Sequence, residues 1–212
     1  ELLAEFDIEA EGIDFCCRVY CTARGWTVAR NEVERLRKKT SRKQGNRVRR
    51  FLKKTLRQCS QFEVECHGAH DVIFDRDEGS QELMTFLDAP ASFVDNGVPL
   101  KVGNTALVAR VEIEKKRYVV KRYNGKQSRA RKSWVNGHRL RFCGIATAKP
   151  IALVRPHYHG PAFLVLDDLG DVDLASYVKD CGVDDVVLTG VTKLFEALER
   201  NRLIHRDTKA TN

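Results

Sequence analysis

The sequence has no apolar run approaching the roughly 18 residues that a membrane-spanning helix requires, and its opening Glu1-Leu2-Leu3-Ala4 lacks the basic-then-apolar order of a secretory signal. The expectation is a protein of the cytoplasm, or one peripheral to a membrane. There is no Cys-x-x-Cys pair either. Seven cysteines, at 16, 17, 21, 59, 66, 143 and 181, are odd in number and irregularly spaced. That argues against a ribbon-type zinc site and against a disulfide framework, so reduced thiols are expected. No internal repeat or low-complexity tract is visible. The first residue is not Met and the last lies inside a motif, so the 212 residues read as a fragment.

With 42% hydrophobic and 31% charged residues, the chain is long enough for one domain, or for one domain and part of another. Its net charge of +8 is unevenly spread. From Arg24 to Arg57 fourteen Lys/Arg stand against Glu32 and Glu34, a local +12, so the rest sums to about −4. Such a stripe attracts phosphates on nucleic acid, anionic lipid or a phosphorylated glycolipid, through a field that salt screens. The plainer reading is a solvated helix face.

The apolar periods predict the elements. Phe6, Ile8 and Ala10, then Ile13, Phe15, Cys17, Val19 and Cys21, alternate as in a half-buried hairpin. From Val28 the spacing turns helical and predicts two basic helices joined at Gly45. A hairpin is expected about His67-Gly68-Ala69-His70, a short helix over 81–87, and a boundary at Asp88-Ala89-Pro90. Strands follow at 100–102, 106–113 and 118–121, then a basic helix over 128–142, then strands at 151–154 and 162–166. Val187, Val191, Leu194, Phe195 and Leu198 space out one face of a last helix.

The chemistry is concentrated in the final eight residues, His205-Arg206-Asp207-Thr208-Lys209-Ala210-Thr211-Asn212. Asp207, Lys209 and Asn212 stand at D, D+2 and D+5 after a helix and a short apolar segment. In phosphoryl transfer such a carboxylate orients the acceptor hydroxyl and takes its proton, the ammonium offsets charge on the moving group, and the asparagine binds a metal ion. Val119-Val120-Lys121 resembles the V-A-I-K strand of kinases, which would hold Lys121 over the nucleotide phosphates. In the first hairpin Gly103, Asn104 and Thr105 occupy the place of a phosphate-covering loop, although with one glycine; an ordinary hairpin uses the same turn.

Residues 99–212 resemble the bacterial lipopolysaccharide-core kinases, the Kdo/heptose kinase family. The resemblance lies in Val119 to Tyr123, Ser133 to Leu140, Gly144 to Leu153 and the final loop. It implies an α+β fold with a protein-kinase-like small lobe, an antiparallel sheet plus helix, over about 100–166. A hinge at 167–170 and an incomplete large lobe, 171–212, would follow, while the residue pattern, not the resemblance, makes 1–88 a basic α+β accessory region. The resemblance also implies ATP, Mg2+ or Mn2+, a core-sugar hydroxyl as acceptor, and work at the cytoplasmic face of a Gram-negative inner membrane, with an anionic membrane surface as a partner and nucleic acid not expected as one.

Three departures accompany the resemblance. No glutamate occurs between Lys115 and Phe195, so the helix that should pair with Lys121 has none to give. No D-F-G-like segment is included, so these residues alone are expected to be inactive. The loop from Thr208 to Asn212 is as close to protein kinases as to sugar kinases. A protein Ser/Thr kinase therefore stays as an alternative, and a pseudokinase or a nucleic-acid-binding module on the 24–57 stripe stays as a different-class one. Cys59, Cys66, His67 and His70 do not fit a common zinc spacing. Asp75 to Gly79 departs from a calcium loop, and His157-Tyr158-His159 reads as a loop tip.

Overall fold

The computed structural model describes residues 10–27, 29–113, 115–125 and 127–204. It divides into two compact units, the first ending at Phe51 and the second beginning at Leu52.

The first unit holds helix α1 (Ala10–Ala23) and most of helix α2 (Arg30–Lys54). The hairpin expected for 13–21 is therefore a helix. Ile13, Cys17 and Cys21 lie at i, i+4 and i+8, a spacing that satisfies a period of two and a helical stripe equally well. The alternation partners Phe15 and Val19 are 64% and 52% exposed, which shows that the helical face is the one used. Phe6 and Ile8 lie outside the described residues. The two basic helices expected at Gly45 are one: no heavy atom lies within 4 Å of a Cβ placed there, and a solvated glycine inside a helix costs only about 1 kcal/mol. Arg37 on α2 donates from Nε to Oδ1 of Asp14 on α1 at 2.8 Å, which fixes the pair of helices side by side.

In the second unit, apolar alternation builds seven strands: β1 (Phe62–His67), β2 (His70–Asp75), β3 (Val98–Val102), β4 (Ala106–Ile113), β5 (Lys116–Tyr123), β6 (Pro150–Pro156) and β7 (Ala162–Asp167). All pairings are antiparallel, in the order β1-β2-β6-β7-β5-β4-β3. The fold is α+β, an antiparallel sheet plus helices, as expected. The meander β3-β4-β5, a helix, then β6-β7 is the succession expected for residues 100–166. The hairpin β1-β2, grouped by sequence with the basic region, extends this same sheet beyond β6.

Each sheet face buries a different set. Helices α3 (Gln81–Asp88) and α4 (Pro90–Asn96) cover one face, where Leu83, Phe86, Leu87 and Val94 pack on Phe74, Val111, Val120 and Val165. Ser80 caps α3 by accepting from the Leu83 amide at 3.2 Å, and Pro90 opens α4, where its missing N–H costs nothing. Helix α5 (Gln127–Phe142) covers the other face. Its Trp134 is fully buried against Phe62 and donates from the indole to the Thr55 carbonyl at 2.7 Å. Beside it, burial holds His138 neutral, its pKa pushed down to about 4. Gly137 lets α5 approach the sheet, because a Cβ there would lie 2.6 Å from Cγ of Pro150.

Two further helices, α6 (Leu174–Cys181) and α7 (Asp185–Arg200), are capped by Asp173 and Asp184 but bury little: among their residues only Leu198 is in the core. The stripe from Val187 to Phe195 is thus largely solvent-facing. No described helix is long and apolar enough to cross a membrane. Asp75 to Gly79, set aside as a calcium loop, is a 3-10 turn, Arg76–Glu78. Asp75 caps it, and Glu78 binds Lys116 at 2.7 Å and Lys149 at 2.9 Å.

Candidate functional site

Directly opposed residues of antiparallel strands point to the same face. The register therefore writes one row across the sheet: Val64, Ile73, Leu153, Leu164, Lys121, Val108, Lys101. This is the α5 face, since Tyr123, two residues beyond Lys121, donates its hydroxyl to Ser133 on α5 at 2.9 Å. The row is apolar and buried under α5, then carries two ammonium groups where the helix no longer covers it. Two strand spacings separate Lys121 from Lys101, about 10 Å.

Lys121 is half-buried, and among the described residues no carboxylate pairs with it. Helix α5 has no acidic residue to offer. Burial, and then the like charge of Lys101, hold the Lys121 ammonium below its ordinary pKa. Both effects penalise the cation, and a bound anion would relieve both. Beside the lysine on the same face, Val108, Val119 and Leu166 are only half-buried. The combination of an apolar shelf and an unpaired cation suits a ligand with a flat apolar part and an anionic tail.

The hairpin turn predicted at 103–105 is present and exposed, joining β3 to β4. Its Gly103 amide donates to the Ala106 carbonyl at 3.1 Å, closing the turn, which leaves Asn104 and Thr105 as its outer positions. Thr105 Oγ1 accepts from Arg129 of α5 at 3.2 Å. Lys101 and Arg129 thus join Lys121 around the turn. Nothing in the residue pattern points to Arg129, because only the fold brings α5 back to the hairpin. Lys101 was readable in retrospect as a cation between two apolar strand residues.

At the far end of the shelf the segment after β7, read as a hinge, is tied down by charge. Asp168 pairs with Arg110 at 2.8 Å and with Arg117 at 3.5 Å, and Arg110 also donates to the Gly170 carbonyl at 3.2 Å. Asp171 pairs with both arginines, which hold its carboxyl below the ordinary range. Asp207, Lys209 and Asn212 lie outside the described residues.

No protein-family model and no curated protein sequence matches the chain. Nineteen chains of solved structures do, among them WaaP in complex with acyl carrier protein. The similarity to WaaP has 22% identity and a TM-score of 0.37, over 48% of this chain and 44% of that one. The chain thus spans under half the length of the WaaP chain, and no residue's role is carried over from it.

Proposed function

We propose that the chain belongs to an ATP-dependent phosphotransferase whose acceptor is a sugar hydroxyl of the lipopolysaccharide inner core, Kdo or heptose. The observation that carries this is Lys121: a half-buried ammonium without a carboxylate partner among the described residues, beside an apolar shelf, on the strand that resembles V-A-I-K. The base of ATP would lie along Val108, Val119 and Leu166, with its phosphates toward Lys121, Lys101 and the turn at Gly103, Asn104 and Thr105. Asp207 would orient the acceptor hydroxyl and take its proton, and Lys209 would offset charge on the transferred group. Asn212 would be the ligand these residues supply to Mg2+ or Mn2+, whose chemistry is to neutralise the phosphate oxygens. The acceptor and its location rest on the family resemblance. The basic helix α2 supports an anionic membrane surface as a partner, at the cytoplasmic face of an inner membrane.

The test is binding of a fluorescent ATP analogue with Mg2+ to the full-length protein and to its Lys121→Met variant. Loss of a charged hydrogen bond, about 1.5–3 kcal/mol, should weaken binding roughly tenfold or more. Equal affinity in the two proteins would take Lys121 out of the nucleotide site and remove the support this reading draws from the structure.

A further inference from the structure

At the other end of the sheet, on the α5 face, three elements bring a thiol, a carboxylate and an imidazole together. Cys66 on β1 stands directly opposite Asp71 on β2, and Asp71 opposite Arg155 on β6, so the three form one cross-strand row. His157 follows β6, two residues beyond Arg155, and its amide donates to the Ala69 carbonyl at 2.9 Å, which pins it to the β1-β2 turn. Nε2 of His157 lies 2.8 Å from Oδ1 of Asp71 and 3.9 Å from Sγ of Cys66, and the three donor atoms lie within 4.8 Å of one another.

Both contacts converge on the same ring nitrogen. A nucleophile–base–orienter relay would need its two partners on the two different nitrogens of the imidazole. Convergence on one nitrogen is the arrangement of donors around a common ion. Zinc bonds of about 2.0–2.3 Å in tetrahedral geometry place N, O and S donors roughly 3.3–3.6 Å apart, and the observed separations of 2.8 and 3.9 Å bracket that range. The two oxygens of Asp71 divide their partners: Oδ2 accepts from Arg155 at 3.1 Å, so the arginine orients the carboxylate with Oδ1 turned toward His157 Nε2.

We infer that Cys66, Asp71 and His157 form a Zn2+ site with one solvent-facing coordination position, independent of the nucleotide site. Thiolate, imidazole and carboxylate together suit a borderline-soft divalent ion rather than Mg2+ or Ca2+, which prefer oxygen alone. The ion would clamp the β1-β2 hairpin to the end of β6. On binding it takes the place of the Cys66 thiol proton, since the thiolate is the ligand.

The experiment uses the reduced, chelator-stripped protein with Zn2+ and Co2+ as probes, and the variants Cys66→Ser and His157→Ala. Wild type should take up one Zn2+ in competition with a chromophoric chelator, and its thermal midpoint should rise as Zn2+ is added. With Co2+ it should show a thiolate-to-metal charge-transfer band. Each variant should bind at least about tenfold more weakly, a loss that even partners outside the ligand set produce, and Cys66→Ser should abolish the band while remaining folded by circular dichroism. Wild-type affinity in Cys66→Ser or in His157→Ala, or tight Co2+ binding without the band, would overturn the assignment.

Discussion

Arg110, in the middle of β4, holds Asp168 beyond the end of β7 in an ion pair of 2.8 Å whose carboxylate side chain is only 2% exposed. The same arginine reaches the Gly170 carbonyl and Asp171, so one side chain fastens the strap that leaves the sheet. A carboxylate that deep depends on its cations. Arg110→Ala should therefore be markedly destabilising, more so than Arg117→Ala, whose guanidinium is farther from Asp168 and better solvated. The double variant Arg110→Ala/Asp168→Ala should be more stable than the sum of the single losses predicts, in a urea-denaturation cycle. Additive losses would mean that the two residues are not coupled.

Gly137→Ala isolates the contact between α5 and β6. Alanine gains about 1 kcal/mol of helix propensity, but its Cβ would sit 2.6 Å from the ring of Pro150, which the strand holds in place. Overpacking of this kind costs about 1–3 kcal/mol. The expected net effect is a loss of about 1 kcal/mol in denaturant unfolding, together with weaker nucleotide binding because α5 carries Arg129 and borders the Lys121 face. A stabilised variant would show that α5 can shift freely.

His67 is a pH-dependent tie. Its Nδ1 meets Asp88 at 2.6 Å and its Nε2 meets Glu65 at 2.7 Å, and these bonds, Asp88 first, raise its pKa above the ordinary 6.5. Because the folded pKa is the higher one, the stabilisation is complete below about pH 6.5 and is lost as pH rises through the raised value. Thermal midpoints of wild type and His67→Gln should differ most in mild acid and converge in alkali. Glu78 has the opposite sign. Lys116 first, and then Lys149, lower its pKa. Its contribution is present above the ordinary carboxylate range and disappears as pH falls through the lowered value.

Helix α2 and its flanks offer a separate test. If the fourteen cations between Arg24 and Arg57 dock on anionic lipid, at about 1 kcal/mol for each one near the surface, binding to phosphatidylserine vesicles should fall steeply with salt. Neutral vesicles should bind little. A chain that ignores anionic vesicles and binds duplex DNA with a strong salt slope would favour the nucleic-acid alternative.

Much of the second unit was legible because its strands are short runs of Val, Ile, Leu and Phe broken by turn residues, as at Gly103-Asn104 and Asn124-Gly125. The first unit was not, because Ile13, Cys17 and Cys21 satisfy two periods at once and only tertiary packing decides between them. Helix α4 was missed because its seven residues, Pro90–Asn96, are too few to display a period. The absence of glutamate in α5 was readable from composition, and among the described residues no carboxylate pairs with Lys121. The contacts among Cys66, Asp71 and His157 were not readable: Cys66 and His157 are 91 residues apart, and only the pairing of β2 with β6 closes that distance.

The most direct measurement is phosphate transfer from ATP to a lipopolysaccharide-core acceptor by the full-length protein, compared with its Asp207→Ala variant. Loss of a positioned base should lower turnover by roughly two to four decades while ATP affinity stays nearly unchanged. Turnover of the variant within a few-fold of wild type would contradict the assignment of Asp207, and with it the phosphotransfer mechanism built around that loop.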